Sequence, residues 1–159
     1  MWRPIPAAAL ATALLLCPGA PAAESGAPWF GAWTLDLAGS RERPGQQEYR
    51  RITCRIEPWA DGLRVTYDMV GMRGGRTHIE WTGKLDGRDY PVQGVDYVMT
   101  NAYSPIDANT YEILVKVDGQ PAARTRVSIS TDGKVLTAVT TETNARGGSV
   151  TTTAVYDRQ

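Results

Sequence analysis

The clearest strand pattern in the sequence is the stretch Trp29-Phe30-Gly31-Ala32-Trp33-Thr34-Leu35-Asp36-Leu37. Its large apolar side chains fall on every second position, so Trp33, Leu35 and Leu37 share one face of a strand while Thr34 and Asp36 lie on the other. This period of two predicts a half-buried β-strand near the start of the chain.

The same alternation recurs along the rest of the sequence. It is clearest over residues 52–56, 63–69, 79–85, 111–117, 135–141 and 150–156. Turn-forming pairs separate these segments, among them Asp86-Gly87, Asp118-Gly119 and Asp132-Gly133. An Asp-Gly pair between two alternating segments is typical of a hairpin, because glycine accepts the positive φ that a tight turn needs.

The close spacing of the turns leaves no room for the helix of a parallel crossover. We therefore predict an all-β protein, an antiparallel up-and-down β-barrel of about ten strands, within a range of about 8–10. A long meander exposes two sheet edges unless it closes, and a barrel of this size can keep a ligand-sized interior.

The first 23 residues are typical of a secretory signal peptide. Arg3 supplies the positive start, an apolar run follows, and small residues around Ala22 suit the cleavage site. We expect residues 24–159 to form one domain that is exported, either periplasmic or secreted, with no integral membrane segment. A lipid anchor on Cys17 is disfavoured, because the bulky Leu16 stands where a lipoprotein signal has a small residue.

Charge and cysteine content exclude several classes of function. The chain has 17 basic and 17 acidic residues, and loss of Arg3 with the leader leaves a net charge near −1. This balance gives no attraction to nucleic acid or to anionic lipid. Without Cys17, Cys54 has no partner for an internal disulfide, and its alternation with Ile52 and Ile56 predicts a buried thiol.

Four segments resemble known small barrels. The segment Phe30-Gly31-Ala32-Trp33-Thr34-Leu35 resembles the opening strand of lipocalins and fatty-acid-binding proteins, and Thr153-Ala154-Val155-Tyr156-Asp157-Arg158 resembles the closing strand of the latter. Residues 86–94 and 131–136 are similar to a largely uncharacterised group of exported bacterial lipocalin-like proteins. The resemblance implies a lipocalin-like, or calycin, barrel that binds a small and often apolar ligand.

The chain departs from fatty-acid-binding proteins at one functional position. Those proteins hold the ligand carboxylate with an arginine two positions before the closing-strand tyrosine, where this chain has Ala154 before Tyr156. Arg126 is a possible replacement, and two interpretations of it stay open. Strand alternation places Val127 inside and Arg126 outside, together with Arg124, whereas the register of the resembling proteins turns Arg126 inward.

No group of residues in the sequence points to catalysis or to a metal. His78 is the one histidine, and it lies on the polar face of its strand beside Glu80. A metal site or a nucleophilic triad needs convergent groups that a single exposed imidazole does not supply. We assign no catalytic residue, no metal ligand and no cofactor.

The aromatic and methionine residues are the remaining indication of function, because such side chains give a pocket apolar walls with a few hydroxyl groups. We predict six ligand-binding residues: Tyr67, Met69, Trp81, Tyr111, Arg126 and Tyr156. The predicted function is the binding of an apolar or amphipathic small molecule without turnover. The alternative is a protein-binding module, such as an inhibitor of an exported protease or an envelope assembly factor. An isomerase or cyclase that shapes an apolar substrate also stays open.

Overall fold

A computed structural model describes residues 26–41, 48–143 and 147–159 of the protein. The predicted signal peptide, Cys17 included, lies outside these residues. The described chain forms ten strands: β1 (Gly31–Arg41), β2 (Tyr49–Trp59), β3 (Gly62–Gly71), β4 (Arg76–Gly83), β5 (Asp89–Gln93), β6 (Met99–Asp107), β7 (Thr110–Val117), β8 (Gln120–Ile129), β9 (Val135–Thr143) and β10 (Ser149–Arg158).

The strands form one closed antiparallel barrel in which each strand pairs with its neighbours in the sequence and β1 pairs with β10. The register at the closing seam sets Leu35 opposite Tyr156 and Trp33 opposite Arg158. This architecture confirms the predicted all-β up-and-down barrel and its strand number. No helix in the part of the chain that the structure describes is long and apolar enough to cross a membrane.

The predicted Asp-Gly turns join the strands. Asp118 and Gly119 connect β7 to β8 with φ angles of 49° and 76°. Two consecutive positive φ values are the signature of the tight hairpin turn that matches the twist of antiparallel strands. Gly87 and Gly133 likewise have positive φ values.

The barrel has one packed end, which we call the closed end. The residues just before β1, the turns after β2, β4, β6 and β8, and the last residues of β10 all lie there. Trp33 is completely buried at this end, and its indole nitrogen donates a hydrogen bond to the carbonyl oxygen of Trp29 over 2.9 Å. The Trp29 ring in turn packs edge-on against Tyr111, with centroids 5.4 Å apart.

Arg158 fastens the two ends of the described barrel together. Its guanidinium donates to the carbonyl oxygens of Phe30 and Pro28, over 2.7 and 2.5 Å, and lies 4.2 Å from the centre of the Trp33 ring. The side chain also donates to the carbonyl oxygen of Gly133 in the β8–β9 turn. One planar cation thereby connects the chain before β1, the β8–β9 turn and the last strand.

Candidate ligand-binding site

Above the closed end, the strands surround a partly open cavity of about 260 Å³. It lies against the inner faces of β2 to β6 and reaches across the barrel to β10. Alternation within each strand brings every second side chain inward, so the apolar positions seen in the sequence become the cavity wall. The aliphatic and thioether part of this wall consists of Ile52, Val65, Met69, Ile79, Val92 and Met99.

Stacked aromatic rings form a second part of the wall. Trp81 and Tyr103 stack with their centroids 4.0 Å apart, and Tyr103 stacks on Tyr111 at 5.6 Å. The Trp81 indole nitrogen donates to the backbone carbonyl oxygen of Asn101 over 3.2 Å. These contacts fix flat apolar surfaces of the kind that bind rings.

Phenol groups and one thiol lie among these apolar side chains. Burial raises the pKa of the Cys54 thiol from 9.0 to about 12, and a hydrogen bond from the Tyr67 hydroxyl opposes this shift. The pKa of Tyr67 is raised, first by the charge that Cys54 would carry as a thiolate and then by burial. Burial is the main cause of the raised pKa values of Tyr103 and Tyr111. At neutral pH these groups are therefore uncharged and can offer only neutral hydrogen bonds.

The amide of Asn101 is the other polar group on the wall. A hydrogen bond between this amide and the Tyr103 hydroxyl partly offsets the rise in the pKa of Tyr103. The amide oxygen Oδ1 is buried and has no hydrogen-bond partner among the described residues. Buried polar atoms are almost always paired in folded proteins, so Asn101 Oδ1 is an exception among the described residues of this barrel.

Four of the six predicted ligand-binding residues line the cavity: Tyr67, Met69, Trp81 and Tyr156. Tyr111 is buried next to it, beneath Tyr103 and against Trp29, and is not part of the cavity wall. The residues that line the cavity are spread over the sequence from Ile52 to Tyr156, a separation of 104 positions. The ligand-binding roles themselves stay predictions.

The structure decides between the two interpretations of Arg126, and the inward one is wrong. Val127 and Ile129 are buried, and Arg126 lies exposed on the outer face opposite Glu112 and Val139. Arg124 is also exposed, and it forms an ion pair with Glu112. Simple alternation holds in β8, so neither arginine replaces the missing carboxylate clamp.

Asn101 and Tyr103 are site residues that the sequence analysis missed. With Met99 they occupy alternate positions of β6, and all three side chains line the cavity. Alternation of Met99 with Tyr103 was the available evidence. However, Asn101 between them is polar, and Pro105 follows Tyr103 by two positions. The segment therefore does not have the pattern of an apolar strand.

His78 lies outside the cavity. It is exposed on the outer face of β4, where its Nδ1 is 2.8 Å from Asp68 Oδ1. No group of three or more His, Cys, Asp or Glu residues suited to a metal occurs in the described segments. The cavity and this imidazole are therefore separate features of the barrel.

Comparison with known proteins defines the fold. No protein-family model matches the sequence, and no curated protein matches it significantly. Eight solved chains are similar in structure. One is the zebrafish ileal bile acid-binding protein in complex with cholic acid, which has a TM-score of 0.50 and 12% sequence identity over 83% of this chain and 99% of that chain. The chain thus shares its barrel fold with this bile acid-binding protein.

Proposed function

We propose that this protein binds a small apolar or amphipathic molecule inside its barrel and does not transform it. The observation that carries the proposal is the cavity of about 260 Å³ with aliphatic and aromatic walls. Ligand sites usually measure about 300–1,000 Å³, whereas a dry cavity of about 150 Å³ binds benzene. The ligand is therefore compact. The cholic acid complex of the structural neighbour supports a ligand-carrying use of such a barrel.

The polar groups near the cavity support binding without turnover. A general base must accept a proton near neutral pH. Burial instead raises the pKa of Cys54 and of Tyr103, which keeps both groups protonated, and His78 lies on the outer face. The wall can orient a molecule through hydrogen bonds and offers it no activated nucleophile.

Native mass spectrometry of the protein purified from its own cells tests the proposal. We expect a reproducible small-molecule adduct that is retained in Arg126→Ala, because this side chain lies outside the barrel. The adduct is lost in Ile79→Trp, which adds bulk at the cavity wall. An apo mass for the wild type, unchanged after soaking in lipid and aromatic mixtures, would contradict the proposal.

We also propose that the protein works outside the cytoplasm, after removal of residues 1–23. The support is the sequence pattern around Arg3 and Ala22. The mass of the protein from an envelope or culture fraction is expected to match a chain beginning at Ala23 or Glu24. A full-length chain recovered from the cytosol would count against export.

The protein-binding alternative stays a prediction. A barrel filled with side chains and a protruding ordered segment would have favoured it, whereas this barrel encloses a cavity. The sequence offers residues 24–28 and 38–47 as the segments through which such a module would bind a protein, and both fall partly outside the described residues.

A further inference from the structure

Three threonines form a row on the inner wall of the barrel. Thr140 of β9 lies directly opposite Thr125 of β8 on one side and Thr152 of β10 on the other. Alternation from the buried residues Val127 and Tyr156 turns this row toward the interior. The hydroxyl oxygens of Thr125 and Thr140 are 2.8 Å apart and share a hydrogen bond. Threonine side chains are mostly exposed in folded proteins, so this row marks a part of the inner wall that is not packed into the core.

The threonine row borders accessible space inside the barrel. All three of its residues are half-buried. Nearer the closed end, the same three strands carry a buried apolar row, which consists of Ile129, Leu136 and Tyr156. When two hydroxyls share one hydrogen bond, one O–H group and several lone pairs remain for a further partner. A molecule inside the barrel can therefore both donate to the row and accept from it.

The threonine row faces the apolar cavity from across the barrel. In the closed ring of ten strands, β9 lies five strands away from β4 in either direction. By the same count, β8 lies opposite β3 and β10 opposite β5. These opposing strands carry part of the cavity wall, including Tyr67, Trp81 and Val92. The interior thus has aromatic and aliphatic side chains on one side and hydroxyl groups on the other.

The inner wall around the row offers no cation to a ligand. Inward positions within residues 123–129, 136–142 and 150–156 hold no Arg, Lys or His, and the charged residue among them, Glu142, is acidic. The cavity lining also contains no Arg, Lys or His. A carboxylate that leaves water without a cation pays a large desolvation penalty, whereas a hydroxyl can pair with an alcohol or a carbonyl group. The row therefore suits an uncharged polar group.

From these observations we propose that Thr125, Thr140 and Thr152 form a hydrogen-bonding subsite in the barrel interior. The ligand is an uncharged amphipathic molecule that directs a hydroxyl or carbonyl group to this row and its apolar part to the cavity wall. This inference rests on the proposed binding function and specifies its ligand class. In proportion to the benzene cavity, about 260 Å³ accommodates an apolar part of on the order of ten non-hydrogen atoms, the size of two fused rings.

Three ligands on one ring skeleton test the inference: 2-ethylnaphthalene, 2-(2-naphthyl)ethanol and 2-naphthylacetate. Calorimetric titration of the wild type at neutral pH is expected to show the alcohol binding about tenfold tighter than the carboxylate. In the double variant Thr125→Val/Thr140→Val, the affinity ratio of the alcohol to the hydrocarbon should fall about fivefold, because the side-chain shape is kept and both hydroxyls are gone. Using this ratio removes the difference in hydration between the free ligands.

The outer face of the sheet supplies a matched control. Thr141 and Thr151 form a second hydroxyl pair between adjacent strands, with 3.2 Å between their oxygens, and both are exposed. Thr141→Val/Thr151→Val should leave the ratio within about twofold, because this pair lies on the other side of the sheet. An unchanged ratio in the inner double variant, an equal fall in the outer one, or a carboxylate that binds as tightly as the alcohol would overturn the inference and leave the binding function standing. Failure of the wild type to bind any of the three ligands would contradict the binding function itself.

A measurement on the wild type covers the case in which the inner double variant does not fold. In a sample with ¹³C-labelled threonine methyl groups, the resonances of Thr125, Thr140 and Thr152 should shift more with the alcohol than with the hydrocarbon at equal saturation. Those of Thr141 and Thr151 should stay in place with both ligands. Equal shifts of the row with the alcohol and the hydrocarbon would show that the ligand hydroxyl does not meet it and would reject the proposed subsite.

Discussion

The Cys54 thiol lies in the barrel interior, 2% exposed, and takes the hydrogen bond of the Tyr67 hydroxyl. With Tyr67, Tyr103, Tyr111 and Tyr156 it forms a group of neutral polar side chains surrounded by apolar ones. Such groups orient ligands at low cost as long as they stay protonated. Because these groups are buried, their ionisation at high pH makes the stability of the barrel depend on pH.

Cys54 is expected to make the folded state less stable in alkali. Its pKa is near 9.0 when exposed and about 12 in the barrel, so its favourable contribution is complete below pH 9 and decreases as the pH rises toward 12. Urea unfolding at pH 8 and pH 10 should show a loss of about 1.4 kcal/mol from this one group in the wild type.

The Cys54→Ala variant provides the comparison. It is expected to be less stable at both pH values but to lose about 1.4 kcal/mol less than the wild type between them. Tyr103 and Tyr111, whose pKa values are raised mainly by burial, contribute in both proteins and cancel in the difference. An identical pH dependence of the two proteins would show that the thiol does not titrate in this way.

At the residue scale, alternation predicted which side chains face inward wherever the strand was apolar. It placed Cys54, Tyr67, Trp81 and Tyr156 inside, as the structure does. It could not identify Asn101, because an inward polar residue breaks the pattern by which inward residues are recognised. The register taken from the resembling proteins gave the wrong direction for Arg126, and the local pattern of β8 gave the right one.

At the scale of strands and turns, the joint between β5 and β6 depends on Gly94. Its φ is +91°, and a Cβ at this position would collide with the backbone carbonyl oxygen of His78 on β4. The turn can therefore pass close to β4 only if the residue has no side chain.

Gly94→Ala is expected to lower the free energy of unfolding by about 3 kcal/mol, from the unfavourable φ together with the backbone collision. Gly74→Ala is the matched control, since Gly74 has a φ of +86° but nothing within 4 Å of an added Cβ. It should cost only about 1 kcal/mol. If chemical denaturation gave the same loss of unfolding free energy for both variants, the close approach of Gly94 to β4 would add nothing to the cost of the substitution.

The strands that the sequence indicated least were β5 and β6. β5 has five residues and pairs with β4 through only Glu80–Gln93 and Trp81–Val92. Pro91 in β5 and Pro105 in β6 also interrupt the strand composition. These strands form because they pair with adjacent strands of the barrel. The local sequence pattern of a segment does not show such pairing. Four residues of the cavity wall, Val92, Met99, Asn101 and Tyr103, lie on these two strands, so this part of the wall was the least predictable.

At the scale of the whole molecule, closure of the barrel relies on the seam between β1 and β10. Asp36 and Arg41 bracket an irregularity in that seam, across which Ser40 accepts a hydrogen bond from the backbone N–H of Val155 over 3.0 Å. Arg158 then reaches past the end of the seam to the carbonyl oxygens of Pro28 and Phe30. The number of strands and the up-and-down order were predictable from the turns. The role of Arg158 was not, because it depends on contacts across the closed sheet.

Replacing Arg158 by alanine is expected to destabilise the barrel by about 1–2 kcal/mol, through loss of charge-assisted hydrogen bonds and of the contact with the Trp33 ring. Arg158→Lys should recover only part of this, since an ammonium cannot reproduce the planar fork of a guanidinium. Arg124→Ala, which removes an exposed ion pair with Glu112, should cost about 0.5 kcal/mol or less. Thermal unfolding followed by circular dichroism compares the three variants. An unfolding midpoint of Arg158→Ala equal to that of Arg124→Ala would show that the Arg158 contacts do not stabilise the barrel.

The Arg158 contacts join residues 128 and 130 positions apart in the chain. Contacts of such sequence separation form late, because the entropy of closing the loop must be lost before they contribute any energy. A nascent or partly threaded chain that lacks β10 would keep β1 and β9 as open edges. The cavity, whose wall includes Tyr156, is therefore complete only when the last strand has paired, and we expect an incompletely synthesised chain to be unable to hold the proposed ligand.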